Sequence, residues 1–350
     1  MFLLYGAYGY TGELVAREAN ARGRDVVLAG RRADPLDDLA AELDCERRVF
    51  PVDAAADHLD GVDCVLNCAG PFAETADPMV DACLATGTDY LDVTGEMEVF
   101  EALAARDAAA EAAGVTLLPG VGFDVVPTDC LAAHLAERLP EATHLRLGFD
   151  ALGSVSPGTA ATAVDSLGEG GAVRRDGRIQ RVPSAWKSRR IDFGDGERTA
   201  VTIPWGDVAT AYYTTGIGNV EVYAGVPPGA VLALRASRPL EPLLSLPLVT
   251  DTLQSLVHRV AAGPGERKRE RTTCRVWGEA RVVGESGIER RAVSRLRTPN
   301  TYALTVDSAL AAVERTLSGD APAGFTTPGG AFGPEFVLGL DGVEGFDDAG

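Results

Sequence analysis

The chain has 350 residues, 46% of them hydrophobic and 24% charged, which are the proportions of a folded globule with room for two domains. Its 51 acidic side chains outnumber 32 basic ones, for a net charge of −19, and the balance excludes a nucleic-acid surface, which needs basic patches to hold phosphate. No run of about 18 uninterrupted apolar residues offers a spanning helix, and the wealth of acids beside only Lys187 and Lys268 is a halophilic composition, whose self-repulsion salt would screen.

Phe2 to Tyr5 reads as a short apolar strand. It runs into the glycine turn Gly6-Ala7-Tyr8-Gly9-Tyr10-Thr11-Gly12, then a helix to about Arg22 and a second strand from Asp25 to Ala29. This is the β-α-β opening of a dinucleotide-binding fold. One glycine lets the chain turn off the strand, one lets backbone approach a pyrophosphate, and one lets helix and strand pack closely. Glycines at 6, 9 and 12 depart from the common G-x-G-x-x-G, and three glycines in seven residues also suit an ordinary turn. The flanking strands and helix favour the cofactor reading. The phosphates would sit on the helix N-terminus near Thr11. The second strand ends in Gly30-Arg31-Arg32 with no acid until Asp34. An acid there would accept from a ribose 2′-hydroxyl, whereas arginine accommodates a 2′-phosphate, so the expected cofactor is NADP.

Pro35 to Leu43 follows as a helix and Arg47 to Val52 as a third strand. At its end Asp53 either reaches the adenine amino group or caps the next turn. Val62 to Asn67 is a continuous apolar strand, as expected where both faces are covered. It leads into Asn67, Cys68, Ala69, Gly70, Pro71 and Phe72, a small-residue turn placed to pass over the nicotinamide ribose. A helix from about Asp77 to Thr86, a strand from Asp89 to Val93, the turn Thr94-Gly95-Glu96, a helix from Val99 to Ala113 and a strand from Val115 to Pro119 come next. They end in Gly120-Val121-Gly122-Phe123-Asp124. Strand and helix alternate throughout, which predicts an α/β fold, a doubly wound parallel sheet whose ligand lies beyond the carboxyl ends of the strands. Tyr90, Asp92, Glu96 and Asp124 all fall at those ends and are the candidate catalytic acids. A carboxylic acid there needs an apolar setting to hold its proton at neutral pH. Asp92 has a structural alternative, bonding the Thr94-Gly95 turn.

From about Thr143 the texture changes. A strand from His144 to Phe149 precedes Ser156-Pro157-Gly158-Thr159, whose hydroxyls can cap a helix to Leu167. Arg174-Arg175-Asp176-Gly177-Arg178 reads as the turn of a hairpin. Arg198 to Ile203, Asn219 to Ala224, Thr272 to Val283 and Ile288 to Leu296 read as further strands, the last two paired around Glu285-Ser286-Gly287. The expected division is a dinucleotide-binding domain over 1–128 and an α+β domain of mostly antiparallel strands over 129–300. The helix Thr301 to Leu317 and the Gly/Pro-rich tail after it would return to the first domain, with Gly342 to Gly350 frayed. Val226 to Val249, apolar but broken by five prolines, is a hydrophobic lip for a lipid-like substrate, a dimer contact or a buried connector. Six cysteines form no C-x-x-C pair and no metal spacing. Cys64 and Cys68, about 13 Å apart on one strand, are too far apart to bridge. With the first strand starting at Phe2 there is no room for a signal peptide, and the expected location is cytoplasmic.

Several of these pieces together resemble the saccharopine dehydrogenase-like oxidoreductases, in particular the trans-acting enoyl reductases. They are the glycine turn Gly6 to Gly12, A-G-R-R at Ala29 to Arg32, N-C-A-G-P-F at Asn67 to Phe72, Y-L-D-V-T-G-E at Tyr90 to Glu96 and P-G-V-G-F-D-V-V-P-T-D at Pro119 to Asp129. S-P-G-T-A at Ser156 to Ala160 and the Arg/Gly run to Gly177 also match. The resemblance implies a Rossmann domain, a second domain at the substrate, often a dimer, and NADPH-linked reduction of a small molecule. It does not imply saccharopine as that molecule. The expected chemistry is hydride transfer to an activated C=C or C=N bond, and the rival is a non-catalytic NADP-binding or redox-sensing protein. A short-chain-type reductase is excluded, because Tyr212 and Tyr213 have no lysine four residues on.

Overall fold

Apolar strands of three to five residues, buried on both faces, form the core of the first of two compact units. The computed structural model of the chain describes residues 1–150, 170–227, 229–240, 273–284 and 287–349. These divide into one unit of Met1–Cys130 with Tyr302–Asp341 and a second of Leu131–Thr301 with Gly342–Gly350.

The first unit opens with β1 (Phe2–Tyr5), α1 (Tyr10–Ala21), β2 (Val26–Gly30), α2 (Ala33–Leu43) and β3 (Arg47–Val49). It continues with β4 (Cys64–Asn67), α3 (Phe72–Thr86), β5 (Asp89–Asp92), α4 (Met97–Ala104), α5 (Asp107–Ala113) and β6 (Thr116–Leu118). The sheet order is β3-β2-β1-β4-β5-β6, extended by Gly324–Phe325 (β15), and every pairing is parallel. That is the doubly wound Rossmann order, whose direction of winding reverses between β1 and β4. Leu3, Leu4, Leu28, Leu66 and Leu91 are fully buried, and each such side chain contributes roughly 1.5–3 kcal/mol by leaving water.

Four local expectations are corrected here. The third strand stops at Val49, and Val52–His58 is a 3-10 turn with Pro51 in the capping position, so Asp53 is not its cap. Cys68 lies beyond the end of β4 rather than on the strand with Cys64. Helix α3 begins at Phe72, five residues before the expected start, because Glu96 supplies its missing cap from another loop. The single helix expected from Val99 to Ala113 is two, broken at Ala105 and Arg106, where the Arg106 guanidinium turns onto Asp77 and Asp81 of α3.

The helix Val126–Arg138 (α6), which the sequence reading did not anticipate, carries the chain onward. The second unit is a sheet ordered β10-β11-β12-β7-β13-β14-β16, built from Ser188–Asp192, Glu197–Thr202, Val220–Gly225, His144–Asp150, Cys274–Val283, Glu289–Thr298 and Asp347–Ala349. The hairpin of Gly171–Arg175 (β8) and Arg178–Val182 (β9) joins it through β12. All pairings but β12–β7 are antiparallel. On one face Arg146, Arg189 and Lys187 neutralise Glu279 and Glu221. Although burial opposes it, these cations hold both carboxylates below the usual range. The C-terminal stretch is not frayed. Asp347–Ala349 pairs with β14, and Asp348 meets both His134 and Arg138.

The helix expected from Ser156 to Leu167, Pro228 and Glu241 to Val249 of the apolar segment, and the turn residues Glu285 and Ser286 lie outside the described residues. Within that apolar segment, Ala230–Ser237 is a short helix. Among the described residues, no helix is long and apolar enough to cross a membrane.

Candidate functional site

The loops after β1, β2, β4, β5 and β6 all leave the same edge of the parallel sheet and, with the ends of β4 and β5, carry the candidate cofactor and catalytic residues apart from Asp53, which follows β3. At the first of them Gly6 has φ +82°, and a Cβ there would lie 2.8 Å from the Ala69 amide. The β1 turn and the β4 turn therefore touch backbone to backbone. A Cβ on Gly12 would stand 2.2 Å from the Gly6 carbonyl oxygen, so α1 can lie this close to β1 only with glycine at that position. Helix α1 starts at Tyr10 with Gly9 as its N-cap and no side-chain cap. An N-terminus of this kind, reached by a close glycine turn, is the cradle that a pyrophosphate fits.

At the end of β2, Gly30 leaves room for the Tyr8 ring, since a Cβ would come within 2.5 Å of it. The Arg32 guanidinium lies 4.7 Å from the centre of that ring, and Arg31 and Arg32 are both exposed. Tyr8 thus props one of two exposed cations beside the glycine turn. Asp53 is exposed in the 3-10 turn after β3. Tyr5, whose hydroxyl donates to the Phe50 carbonyl, is pushed up to about 12 by burial, with Tyr8 and Asp53 adding to the rise and Arg31 opposing it.

The β4 turn is held from two sides. Asn67, fully buried, accepts from the Ala69 amide at 3.0 Å and donates to Thr75 Oγ1 and the Tyr90 hydroxyl. Thr75 in turn donates to the Ala69 carbonyl. Glu96 accepts from the Phe72 and Ala73 amides at 2.9 and 2.8 Å. Cys68 sits in this turn with its thiol pushed up by burial and by Asp92. Gly70 and Pro71 are exposed at its tip, and Phe72 is half-buried.

The four candidate acids have different settings. Tyr90 is buried within β5 and donates to Asp92 Oδ2 at 2.8 Å; burial raises it well above its ordinary range. Asp92, also fully buried, accepts from the Thr94 and Gly120 amides through Oδ1. Desolvation outweighs those donors and pushes it up to about 6. Glu96 is committed to the two α3 amides. Asp124, partly exposed in the loop after β6, lies against Gly95, whose Cβ would be 3.2 Å from its Oδ2, and burial pushes it up to about 6.

Sequence reasoning missed Thr75 and Thr94, which tie these turns together, and, on the helix Thr301–Leu317 that it did expect, Thr305 and Ser308, whose hydroxyls bond the Phe123 amide and the Val121 carbonyl. Tyr302 of that helix packs edge-on against Tyr10 of the glycine turn at 4.9 Å. No local signal marks these contacts, which span more than 180 residues of chain. Among the described residues, no group of three His, Cys, Asp or Glu could hold a metal ion.

The strand order, the glycine turn and the uncapped helix define a dinucleotide-binding domain of the Rossmann class. Residues 2–118 match the family of saccharopine dehydrogenase NADP binding domains. A trans-acting enoyl reductase of Mycobacterium leprae is 33% identical over 153 residues, covering 40% of this chain and 36% of that protein. A probable mitochondrial saccharopine dehydrogenase-like oxidoreductase of Arabidopsis thaliana is 32% identical over 150 residues, covering 36% of this chain and 32% of its own length. The chain thus spans about a third of the length of these curated relatives. Saccharopine dehydrogenase (L-Glu forming) of Saccharomyces cerevisiae shares the fold at a TM-score of 0.69 over 100% of this chain and 99% of that one, with 12% sequence identity.

Proposed function

We propose that the chain is an NADP-dependent oxidoreductase that reduces an activated C=C or C=N bond of a small molecule. The observation that carries this reading is the set of groups around the β1–β4 switch point: the glycine cradle and uncapped α1, with Arg31 and the Tyr8-propped Arg32 at the neighbouring strand end. The names of the enoyl reductase and oxidoreductase relatives support it.

When bound, NADPH supplies a hydride from carbon 4 of its nicotinamide and leaves as NADP⁺. The α1 N-terminus would hold the pyrophosphate, Arg31 and Arg32 the 2′-phosphate, and the β4 turn the nicotinamide ribose. The acceptor bond gains that hydride at one end and a proton at the other. Asp124 is the acid we assign to the proton, because its carboxyl stays protonated up to about pH 6 and it alone in its otherwise buried loop keeps partial solvent contact.

The test is a fluorescence titration with NADPH and NADH in high salt, on the wild type and on Arg31→Ala with Arg32→Ala. We expect NADPH to bind the wild type at least about tenfold tighter than NADH, and the double variant to lose that preference. Equal affinity for both nucleotides in both proteins would remove the NADP assignment. Binding without turnover of any enoyl or imine acceptor would favour a non-catalytic NADP sensor.

A further inference from the structure

The hydrogen bonds at the sheet edge close into a ring. From Asn67 at the end of β4 the path runs through the Tyr90 hydroxyl to Asp92 at the end of β5. Asp92 Oδ1 takes the Thr94 amide at 3.0 Å, and Thr94 Oγ1 takes the Glu96 amide at 3.1 Å. Glu96 returns across the gap to the Phe72 and Ala73 amides, and the Ala69 amide closes the path on Asn67 at 3.0 Å. A branch from Asp92 to the Gly120 amide at 2.9 Å ties in the end of β6. What the ring encloses is the turn Cys68-Ala69-Gly70-Pro71, which bears no charged side chain of its own and touches Gly6 of the glycine turn through Ala69.

Resting on the NADP reading above, we infer that Glu96 and Asp92 are positioning residues that hold the β4 turn for the nicotinamide half of the cofactor, and are not proton donors. Two features of the geometry separate these roles. Both Glu96 oxygens face backbone N–H groups, so a proton on either would displace a donor from the first turn of α3. That helix has no cap of its own, and a carboxylate on its first-turn amides also complements the helix dipole. Asp92 lies in the sheet interior, with no solvent exposure and three donors on its two oxygens, and no acceptor bond can reach it there. The ring instead sets the height of the turn against Gly6 and so the room left for a ribose. A loosened ring would act on the nicotinamide end and leave the adenosine end, held by Arg31 and Arg32, as it was.

The experiment compares two ligands on wild type, Glu96→Ala and Thr75→Val, by calorimetric titration. NADPH carries both halves of the cofactor; adenosine 2′,5′-bisphosphate carries the 2′-phosphate and adenosine but no nicotinamide. Glu96→Ala opens the ring, whereas Thr75→Val removes the hydroxyl that ties the enclosed turn to Asn67 through the Ala69 carbonyl, and thermal melts record whether each folds. We expect the NADPH dissociation constant to rise at least about tenfold in both variants, the loss of about 1.4 kcal/mol, with the enhanced nicotinamide fluorescence of the bound state lost. Affinity for the bisphosphate should stay within about twofold. Glu96→Gln, which keeps one acceptor oxygen, should fall between Glu96→Ala and wild type. Unchanged NADPH affinity and fluorescence in Glu96→Ala with turnover abolished would make Glu96 a proton donor and overturn the inference. Equal weakening of both ligands would reduce the ring to general scaffolding and overturn it as well. A wild type that binds the bisphosphate but not NADPH would sink the positioning inference with the 2′-phosphate site intact. One that binds neither would remove the cofactor reading itself.

Discussion

At the scale of single residues, space and burial decide what each position tolerates. Gly12 and Gly87 show the contrast. Gly87 ends α3 with φ +75° and nothing within 4 Å of a built Cβ, so Gly87→Ala meets only backbone strain, about 1 kcal/mol. Gly12 has ordinary helical φ, but its Cβ would strike the Gly6 carbonyl oxygen at 2.2 Å. The backbone of the cofactor turn must then move, and Gly12→Ala should cost about 3 kcal/mol or more and abolish NADPH binding. Urea titration of the two variants reads the difference; equal costs would show that α1 does not pack on β1 as described. Asp92 makes a second residue-scale prediction, this one in pH. Its folded-state pKa is raised to about 6 from 3.8, mainly by desolvation, so the folded state favours the protonated form. That contribution is fully present below about pH 4 and is lost as pH rises through about 6, a change on the order of 3 kcal/mol. Asp124 acts in the same direction. Asp92→Asn leaves the Tyr90 O–H without its acceptor at every pH but removes the titrating group. Stability measured at about pH 4 and pH 7 should therefore show the variant more destabilised, relative to wild type, at the lower pH. A constant offset would mean that Asp92 does not titrate in this range.

At the scale of elements, the last strand is where sequence and structure part most clearly. Gly342 to Gly350, rich in Gly and Asp, looks like a loose end, yet Asp347–Ala349 covers the edge of β14. Arg295 and Arg297 pair with Asp347 and Glu344, and the Phe346 ring stacks on His134 at 4.1 Å. Truncation after Asp341 uncovers that edge and removes all of these contacts, and should lower stability by about 2 kcal/mol and promote association through β14. A truncated protein with unchanged melting temperature and sedimentation would show that the strand contributes nothing. The strands of the first unit were legible because parallel strands buried on both faces read as unbroken apolar runs, as in Phe2–Tyr5 and Cys64–Asn67. Helix α6 was not, because Val126 to Leu131 are all buried and leave no polar stripe to betray the helical period. The start of α3 was hidden for another reason: its cap lies 24 residues downstream, on Glu96. The same holds at the candidate site. Glycines and arginines announce themselves in a short window, whereas Thr75 and Thr94 take on meaning only when three strand ends are brought side by side.

At the scale of the whole molecule, charge sets the conditions under which any of this can be measured. A net charge of −19 puts the compact chain under self-repulsion, and the described arginines answer it locally, many of them in ion pairs with carboxylates. Most of those pairs are partly or wholly exposed and are worth roughly 0–1 kcal/mol each. Pairs such as Arg146–Glu279 are more sheltered, and salt screens them less. Added salt therefore weakens contacts of small value while screening a long-range repulsion that all 51 acids feel. The net effect expected is stabilisation. Thermal unfolding followed from about 0.1 M to 2 M KCl should show the melting temperature rising steeply at first, as the Debye length falls from about 10 Å towards 3 Å and below, then more slowly. A rise seen equally with sulfate and chloride at matched ionic strength would assign it to screening; a larger rise with sulfate would assign part of it to strengthened apolar burial. A melting temperature that falls with KCl would mean that the ion pairs outweigh the repulsion, and that the acidic composition is not an adaptation to salt.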